Sequence, residues 1–180
     1  MLTDLAFYLA QHNHDIHVIT SRQIYDDPGA KLTPRENVNG VTIHRVWTSS
    51  FGRHVLPGRL LDYLAFYLFC CRRLFFICRP GDIVIAKTDP PMLSVAVGFV
   101  TRLRKSGLVT WLQYLFPEVA VALQVRGFNK FTANLSQWLR NWSSHRAVMN
   151  VVVGEEMQSR LVRENIPAEK ICVIHNWADG

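Results

Sequence analysis

The fold of this chain is decided by two stretches, Lys87-Thr88-Asp89-Pro90-Pro91-Met92-Leu93-Ser94 and Trp111-Leu112-Gln113-Tyr114-Leu115-Phe116-Pro117-Glu118-Val119-Ala120. Each stretch follows or overlaps an apolar run and then changes abruptly to polar residues and proline. Buried parallel strands end in this way where they meet a loop that faces a ligand. The two stretches therefore predict two strands whose loops border one cleft.

Helix and strand patterns alternate on both sides of these stretches. The runs Asp82 to Ala86 and Leu108 to Gln113 predict strands, and Pro91 to Leu103 between them predicts a helix, which makes a βαβ unit. Further strands are predicted at Ile16 to Thr20, Val41 to Trp47, Ala147 to Val153 and Ile171 to Ile174, and further helices at Arg59 to Cys78, Glu118 to Val125, Phe131 to His145 and Glu155 to Glu164. This alternation predicts an α/β fold with a Rossmann-like, doubly wound parallel sheet and helices on both faces.

The beginning of the chain departs from that pattern. Leu2, Leu5 and Leu9 form one stripe of a first helix that ends near Asn13. An open parallel sheet normally begins instead with a strand and a glycine-containing turn. We therefore expect the first strand to be missing from these residues, and the polar segment Pro34 to Gly40 to be a loop.

Composition and charge indicate one globular domain with an anionic partner. The chain has 180 residues, of which 49% are hydrophobic and 19% charged, and its net charge is +6. A phosphate-bearing substrate, a membrane surface or a nucleic acid would each suit that charge. Because no aromatic and basic platform of the single-strand-binding kind is evident, we expect no nucleic-acid partner.

Several other classes of site or location have little support in the sequence. The cysteines show no Cys-x-x-Cys spacing and the histidines no His-Glu-x-x-His motif, so we expect reduced thiols and no metal site. No signal-peptide pattern is visible at the N-terminus. The predicted helix Arg59 to Cys78 is apolar almost all round but too short in its apolar part to span a bilayer, so it is expected to be buried or to lie on a membrane.

A family resemblance is carried by six motifs that follow one another along nearly the whole chain. They are Asn13-His14-Asp15-Ile16-His17-Val18-Ile19-Thr20, Thr88-Asp89-Pro90-Pro91, Trp111-Leu112-Gln113, Phe116-Pro117-Glu118, Gly154-Glu155 and Val173-Ile174-His175-Asn176-Trp177-Ala178-Asp179-Gly180. Together they resemble family 4 glycosyltransferases, and within that family the exopolysaccharide branch of bacterial colanic-acid-type and O-antigen enzymes.

The resemblance implies a GT-B fold, in which two Rossmann-like domains face each other across a cleft. Residues 1–180 look like the N-terminal, acceptor-binding domain, truncated at both ends and lacking the C-terminal donor domain. The implied function is retaining transfer of a sugar from a nucleotide-sugar donor to a lipid-linked polysaccharide precursor. It would require no cofactor, and it would take place in the cytoplasm, peripherally on the inner face of the membrane.

The matching motifs also assign candidate site residues. Thr88, Asp89, Gln113, Tyr114 and Glu118 lie at or just past predicted strand ends, where they are expected to bind the acceptor. On the donor or interdomain side, the motifs assign Gly154, Glu155, His175 and Asn176. No catalytic residue is assigned.

Four of these assignments have a structural alternative. Asp89-Pro90-Pro91 also suits a turn and helix cap, Glu118 and Glu155 suit the first turn of a helix, and His175 suits an interdomain contact. Members of the resembled branch tend to carry an acidic residue where this chain has Tyr114, and a phenol cannot replace a carboxylate at neutral pH. The alternative function is therefore a non-catalytic binding module, or a decayed fragment that keeps the fold without transfer activity.

Overall fold

Residues 1–23, 32–49, 51, 56–122 and 129–176 are described by a computed structural model of the chain. They divide into two units, Met1–Ile77 and Cys78–Asn176, and each unit contains its own β-sheet. Predictions that reach residues 24–31, 50, 52–55, 123–128 or 177–180, such as the end of the predicted helix at Val125 and the last four residues of the final motif, lie outside the described residues.

The first unit combines a small mixed sheet with two helices. Its elements are α1 (Leu2–Gln11), β1 (Ile16–Ser21), β2 (Arg35–Val38), β3 (Val41–Val46) and α2 (Leu56–Ile77). The strand order is β1-β3-β2, with β1 parallel to β3 and β2 antiparallel to it. Both helices pack against β1 and β3, and Asn13, after the end of α1, has a left-handed backbone with φ 64°.

The strand β2 corrects the prediction of a loop from Pro34 to Gly40. Asn39 and Gly40 have positive φ angles of 51° and 84° and connect β2 to β3. A two-residue Asn-Gly connection with both φ angles positive is the preferred hairpin turn, because its twist matches that of the strands it joins. The turn therefore brings the polar residues before it into the sheet as an edge strand.

The second unit contains a parallel sheet of four strands. Its elements are β4 (Ile83–Lys87), α3 (Leu93–Arg104), β5 (Gly107–Leu112), α4 (Glu118–Ala122), α5 (Lys130–Arg146), β6 (Met149–Val152), α6 (Glu155–Arg163), a short 3₁₀ helix (Ala168–Lys170) and β7 (Ile171–Val173). The strand order is β4-β5-β6-β7, and every neighbouring pair is parallel. The predicted α/β fold with a parallel sheet flanked by helices is confirmed.

Burial explains how this parallel sheet is held. Helix α3 packs against β4 and β5, and α6 packs against β6 and β7. One core cluster joins β5, β6 and β7 to α6 through Leu112, Leu115, Val152, Leu161, Ile166 and Ile171. Thr110 of β5 and Asn150 of β6 are also buried, and Thr110 Oγ1 donates a hydrogen bond of 2.6 Å to Asn150 Oδ1. Both polar side chains are thereby satisfied inside the sheet.

Helix α2 is neither wholly buried nor long and apolar enough to cross a membrane. Cys70 and Leu74 are buried, whereas Leu60, Leu64 and Leu68 are 59%, 60% and 66% exposed. Complete burial of this segment, one of the two expectations, is therefore wrong. Among the helices of the described ranges, none meets the length and hydropathy that a membrane span requires.

The four cysteines are free in the structure. Burial raises the pKa of Cys70 to about 12 and that of Cys71 to about 11. Both thiols therefore stay protonated at neutral pH, which makes them poor nucleophiles.

A chain of polar contacts lies inside the first unit. Arg73 of α2 donates to Nδ1 of His44 on β3, at 2.8 Å from Nη2 and 3.2 Å from Nε. With Nδ1 accepting, Nε2–H of His44 donates to Nδ1 of His17 on β1 at 2.8 Å. Burial, with Arg73, His17 and Arg35 nearby, lowers the pKa of His44 from its ordinary 6.5 to about 4. The buried ring is therefore neutral at physiological pH.

Candidate functional site

The carboxyl ends of the four parallel strands form one edge of the second unit's sheet. Thr88 and Gln113 directly follow β4 and β5, and Gly154 and His175 follow β6 and β7 by two residues each. Because parallel strands end together, the predicted acceptor-side and donor-side motifs all lie along this edge. The structure thus brings the sequence-derived candidates to one side of one sheet.

Thr88 is the centre of the contacts between the ends of β4 and β5. It is 8% exposed, its hydroxyl donates to the carbonyl of Trp111 at 2.9 Å, and the same oxygen accepts from the backbone N–H of Gln113 at 3.0 Å. The hydroxyl of Tyr114 donates to the carbonyl of Thr88 at 3.3 Å. Thr88, Gln113 and Tyr114 are therefore held together as one cluster, which we call the Thr88 cluster.

The side chain of Gln113 carries a buried donor without a partner. Its nitrogen Nε2 is shielded from solvent and makes no hydrogen bond to any of the described residues. An unpaired buried donor costs about 1–3 kcal/mol. Unpaired buried donors are rare in native proteins, and a bound water or a ligand can supply the missing acceptor.

A small pocket lies beside the Thr88 cluster. Ser94, at the start of α3, contributes a hydroxyl that lies 3.0 Å from the hydroxyl of Ser143 on α5. Met92 precedes α3 with a left-handed φ of 66°. The lining residues are Ala86, Thr88, Met92, Leu93, Ser94, Leu112, Tyr114, Phe116 and Arg140. Of these, the sequence singled out Thr88 and Tyr114, and it missed Arg140, the pocket's charged lining residue.

Arg140 is 3% exposed and is surrounded by carboxylates. Its Nη1 donates to both oxygens of Glu118, at 2.9 and 3.0 Å, and its Nη2 pairs with Glu164. Its Nε donates to Asn141 Oδ1 at 3.1 Å, and the more exposed Arg160 also reaches Glu118, at 3.4 Å. Two positive and two negative charges meet here, so the buried guanidinium is compensated.

Glu118 and Asp89 make no part of the hydrogen bonds that define the Thr88 cluster. Glu118 occupies the first turn of α4, where its carboxylate is held by Arg140 and Arg160. Asp89 is exposed and does not line the pocket. The Asp89–Pro90 and Phe116–Pro117 peptide bonds, which follow Thr88 and Leu115, are both cis. Of the predicted acceptor-binding residues, Asp89, Gln113 and Glu118 thus do not line the pocket.

Two of the four donor-side candidates, Glu155 and His175, are in contact. Gly154 is the N-cap residue of α6, and Glu155 begins that helix. His175 Nε2 lies 3.5 Å from Glu155 Oε1, and Nδ1 of the same ring lies 3.1 Å from the carbonyl oxygen of Val153. Glu155, His175 and Asn176 are exposed. This end of the edge is therefore open to a ligand or to another domain.

A family model described as a glycosyl transferase 4-like domain matches residues 1–177. The chain belongs to this family. A search of curated proteins gives no significant match. As a glycosyltransferase domain, the chain has sugar donors and acceptors as the substrates of its reaction class. Within its described residues, no group of three or more histidine, cysteine, aspartate or glutamate side chains could hold a metal ion.

Proposed function

We propose that this glycosyltransferase domain binds the acceptor in a retaining sugar transfer, and that the acceptor is a lipid-linked polysaccharide precursor. The sugar would come from a nucleotide-sugar donor. The exopolysaccharide motifs support this choice of substrate, and the family match supports the reaction class. The observation that carries the proposal is the unpaired Gln113 donor within the Thr88 cluster, at the carboxyl edge of a parallel sheet.

The chemistry of the Thr88 cluster and of the pocket beside it favours a saccharide over a nucleotide. Hydroxyls and an amide are suited to hydrogen bonds with sugar hydroxyls, and the cluster supplies them through Thr88, Tyr114 and Gln113. Arg140 is the pocket's charged lining residue, and its donors are directed at Glu118, Glu164 and Asn141. A diphosphate would have to compete with those carboxylates, whereas a neutral sugar would not.

We propose that Gly154, Glu155, His175 and Asn176 face the donor or a second domain. The resemblance implies that the groups which stabilise the departing diphosphate lie in that second domain, so residues 1–180 by themselves are expected to transfer no sugar. Sugar transfer needs charge stabilisation of the leaving group and exclusion of water, which the Thr88 cluster alone does not supply.

Binding measurements on the chain separate the two substrates. Titration calorimetry with a water-soluble, short-chain lipid-linked oligosaccharide should give saturable binding, and a panel of nucleotide sugars should give none. The matched control is the same short lipid without the saccharide. Binding of a nucleotide sugar in preference to the acceptor, or turnover by the chain alone above a no-protein control, would contradict the assignment.

A non-catalytic sugar-binding module is the second candidate, and the position of Tyr114 favours it. Its hydroxyl is engaged with Thr88, and it stands where the resembled enzymes tend to have an acidic residue. Supplying the donor domain of a related enzyme as a separate chain distinguishes the two candidates. Transfer that depends on both chains supports the enzyme, and acceptor binding without any transfer supports the module.

We also propose a peripheral location on the cytoplasmic face of the membrane, with α2 facing lipid. Leu60, Leu61, Leu64 and Leu68 expose apolar surface along this helix. The guanidinium of Arg72 lies 5.6 Å from the ring centre of Phe76, which is 68% exposed. Exposed apolar side chains with basic neighbours are typical of helices that lie in the interface of an anionic membrane.

A further inference from the structure

Helix α5 of the second unit carries an exposed apolar stripe that the parallel sheet does not use. Phe131, Leu135 and Trp138 are 74%, 46% and 62% exposed. Their spacing, extended by Trp142, places all four within a stripe about 60° wide, since a helix turns about 100° per residue. The opposite side of the helix holds the buried residues Arg140, Ser143 and Ser144.

Helix α3 extends this stripe into a broader surface. The ring of Phe99 stacks on that of Trp142 with 4.6 Å between ring centres, and Phe99 and Leu103 are 54% and 71% exposed. Gly98 allows this approach, because a Cβ at that position would lie 3.3 Å from Cζ3 of Trp142. We call the exposed surface formed by Phe99, Leu103, Phe131, Leu135 and Trp138 the α3–α5 face.

The charged residues of the two helices that form the α3–α5 face are all basic. Over their full lengths, α3 and α5 contain no aspartate or glutamate. The exposed basic residues on these helices and at their ends are Arg102, Lys105, Lys130 and Arg146. The guanidinium of Arg146 lies 5.5 Å from the ring centre of Trp142. A partner of this face therefore has to be apolar at its centre and negative around it.

We propose that the α3–α5 face binds the surface of an anionic lipid bilayer. Tryptophan and phenylalanine are suited to the boundary between headgroups and acyl chains, and lysine and arginine are attracted by anionic headgroups. A second copy of the chain fits less well, because a symmetric dimer would place the same basic surface against itself. The inference rests on the peripheral location proposed above and adds a second lipid-binding surface, in the other unit from α2.

The test is sedimentation of the full chain with vesicles, compared between two matched double variants. Phe131→Ser with Trp138→Ser removes the centre of the α3–α5 face, and Leu64→Ser with Leu68→Ser removes the same number of exposed apolar residues from α2. With vesicles that contain phosphatidylglycerol, the α5 variant should bind roughly tenfold more weakly than the unmodified chain. With phosphatidylcholine alone, binding should be weak for every variant.

A charge variant and the tryptophan emission distinguish a loss of lipid binding from a loss of folding. Lys130→Glu with Arg146→Glu leaves the apolar stripe intact and should also weaken binding to phosphatidylglycerol vesicles, while circular dichroism matches that of the unmodified chain. The emission of the unmodified chain should shift to shorter wavelength when these vesicles are added, and Trp138→Phe should remove most of that shift.

The outcomes separate this inference from the proposed location. If the α5 variants bind vesicles as the unmodified chain does and only the α2 variant loses binding, the peripheral location is supported. The proposal that the α3–α5 face binds lipid is then wrong. If the chain binds neither kind of vesicle, both proposals fall. A dimer that dissociates in the Phe131→Ser, Trp138→Ser variant, with no vesicle binding, would assign the face to a second copy and contradict the proposal.

Discussion

Each unit of this domain buries a basic side chain, and the two are stabilised in opposite ways. In the first unit, His44 is 3% exposed and has arginine and histidine around it, so it is kept neutral. In the second, Arg140 is equally buried but charged, and Glu118 and Glu164 compensate it. His44 joins α2 to the middle of a sheet, whereas Arg140 lines the pocket beside the Thr88 cluster.

This difference shows that the buried arrangement with the larger desolvation cost, the ion pairs of Arg140, lies beside the pocket. A neutral ring with hydrogen bonds on both nitrogens can hold a helix on a sheet without burying a charge or an unpaired polar atom. A buried ion pair is rarely more stable than an apolar replacement, so its presence beside a pocket favours a role in shaping that pocket. Arg140 fixes Glu118 and with it the first turn of α4, which follows the Gln113 to Pro117 loop.

The largest expected effect is the loss of the buried charge in the second unit. Arg140→Met leaves Glu118 and Glu164 without their buried partner and should lower the free energy of unfolding by about 3–5 kcal/mol. Arg160→Met is the matched control, because Arg160 approaches the same carboxylates but is 46% exposed. Its loss should cost less than about 1 kcal/mol. Urea unfolding measures both, and equal effects would remove the distinction between the two arginines.

The next effect concerns pH and the first unit. Because the pKa of His44 is lowered from 6.5 to about 4 in the folded chain, the unfolded chain binds the proton first as the pH falls. Above pH 6.5 the neutral ring makes its full contribution to the free energy of unfolding. This contribution decreases as the pH falls from 6.5 to about 4 and is lost below about pH 4. It amounts to at most about 3 kcal/mol.

Comparison with His44→Gln isolates this contribution from the other titrating groups. Urea unfolding at several pH values between 7 and 4 should show a shallower pH dependence for the variant than for the unmodified chain. The neighbours that oppose protonation of His44 are Arg73 on α2, His17 on β1 and Arg35 on β2. The same pH dependence in both proteins would mean that the buried ring does not resist protonation.

Much of the fold could be predicted from the sequence, because it depends on local patterns. Apolar runs located β4, β5 and β6 to within a few residues, since strands buried in a parallel sheet are nearly continuous apolar segments. The strand β2 was missed because Arg35, Glu36 and Asn37 are polar, although the Asn39-Gly40 turn was a signal that could have revealed it.

The site was less predictable because its contacts join distant residues. Thr88 and Tyr114 stand at strand ends, which a pattern can show, and the structure places both in the pocket. Arg140 lies on a helix 22 residues after Glu118, and only the folded chain reveals the pair. A usable signal was its place on the same helical face as Ser143 and Ser144, where a charged residue needs a partner.

A smaller effect is expected within the Thr88 cluster. Thr88→Val keeps the shape but removes a hydroxyl that donates to Trp111 and accepts from Gln113. The free energy of unfolding should fall by about 1–2 kcal/mol, and the backbone amide of Gln113 should exchange its hydrogen faster. Thr88→Ser retains the hydroxyl and should restore slow exchange. Fast exchange in Thr88→Ser as well would show that the methyl group, and not the hydroxyl, holds the two strand ends.

Nuclear magnetic resonance can show whether the acceptor binds at the Thr88 cluster or in the first unit. A ¹⁵N-labelled chain is titrated with the short-chain lipid-linked oligosaccharide, and the same lipid without sugar is the control. We expect saturable shifts of the Gln113 side-chain amide and of the backbone amides of Thr88, Gln113 and Tyr114, with the signals of His17 and His44 unmoved. Saturable shifts confined to the first unit, with the Gln113 side-chain signal unchanged, would contradict this expectation.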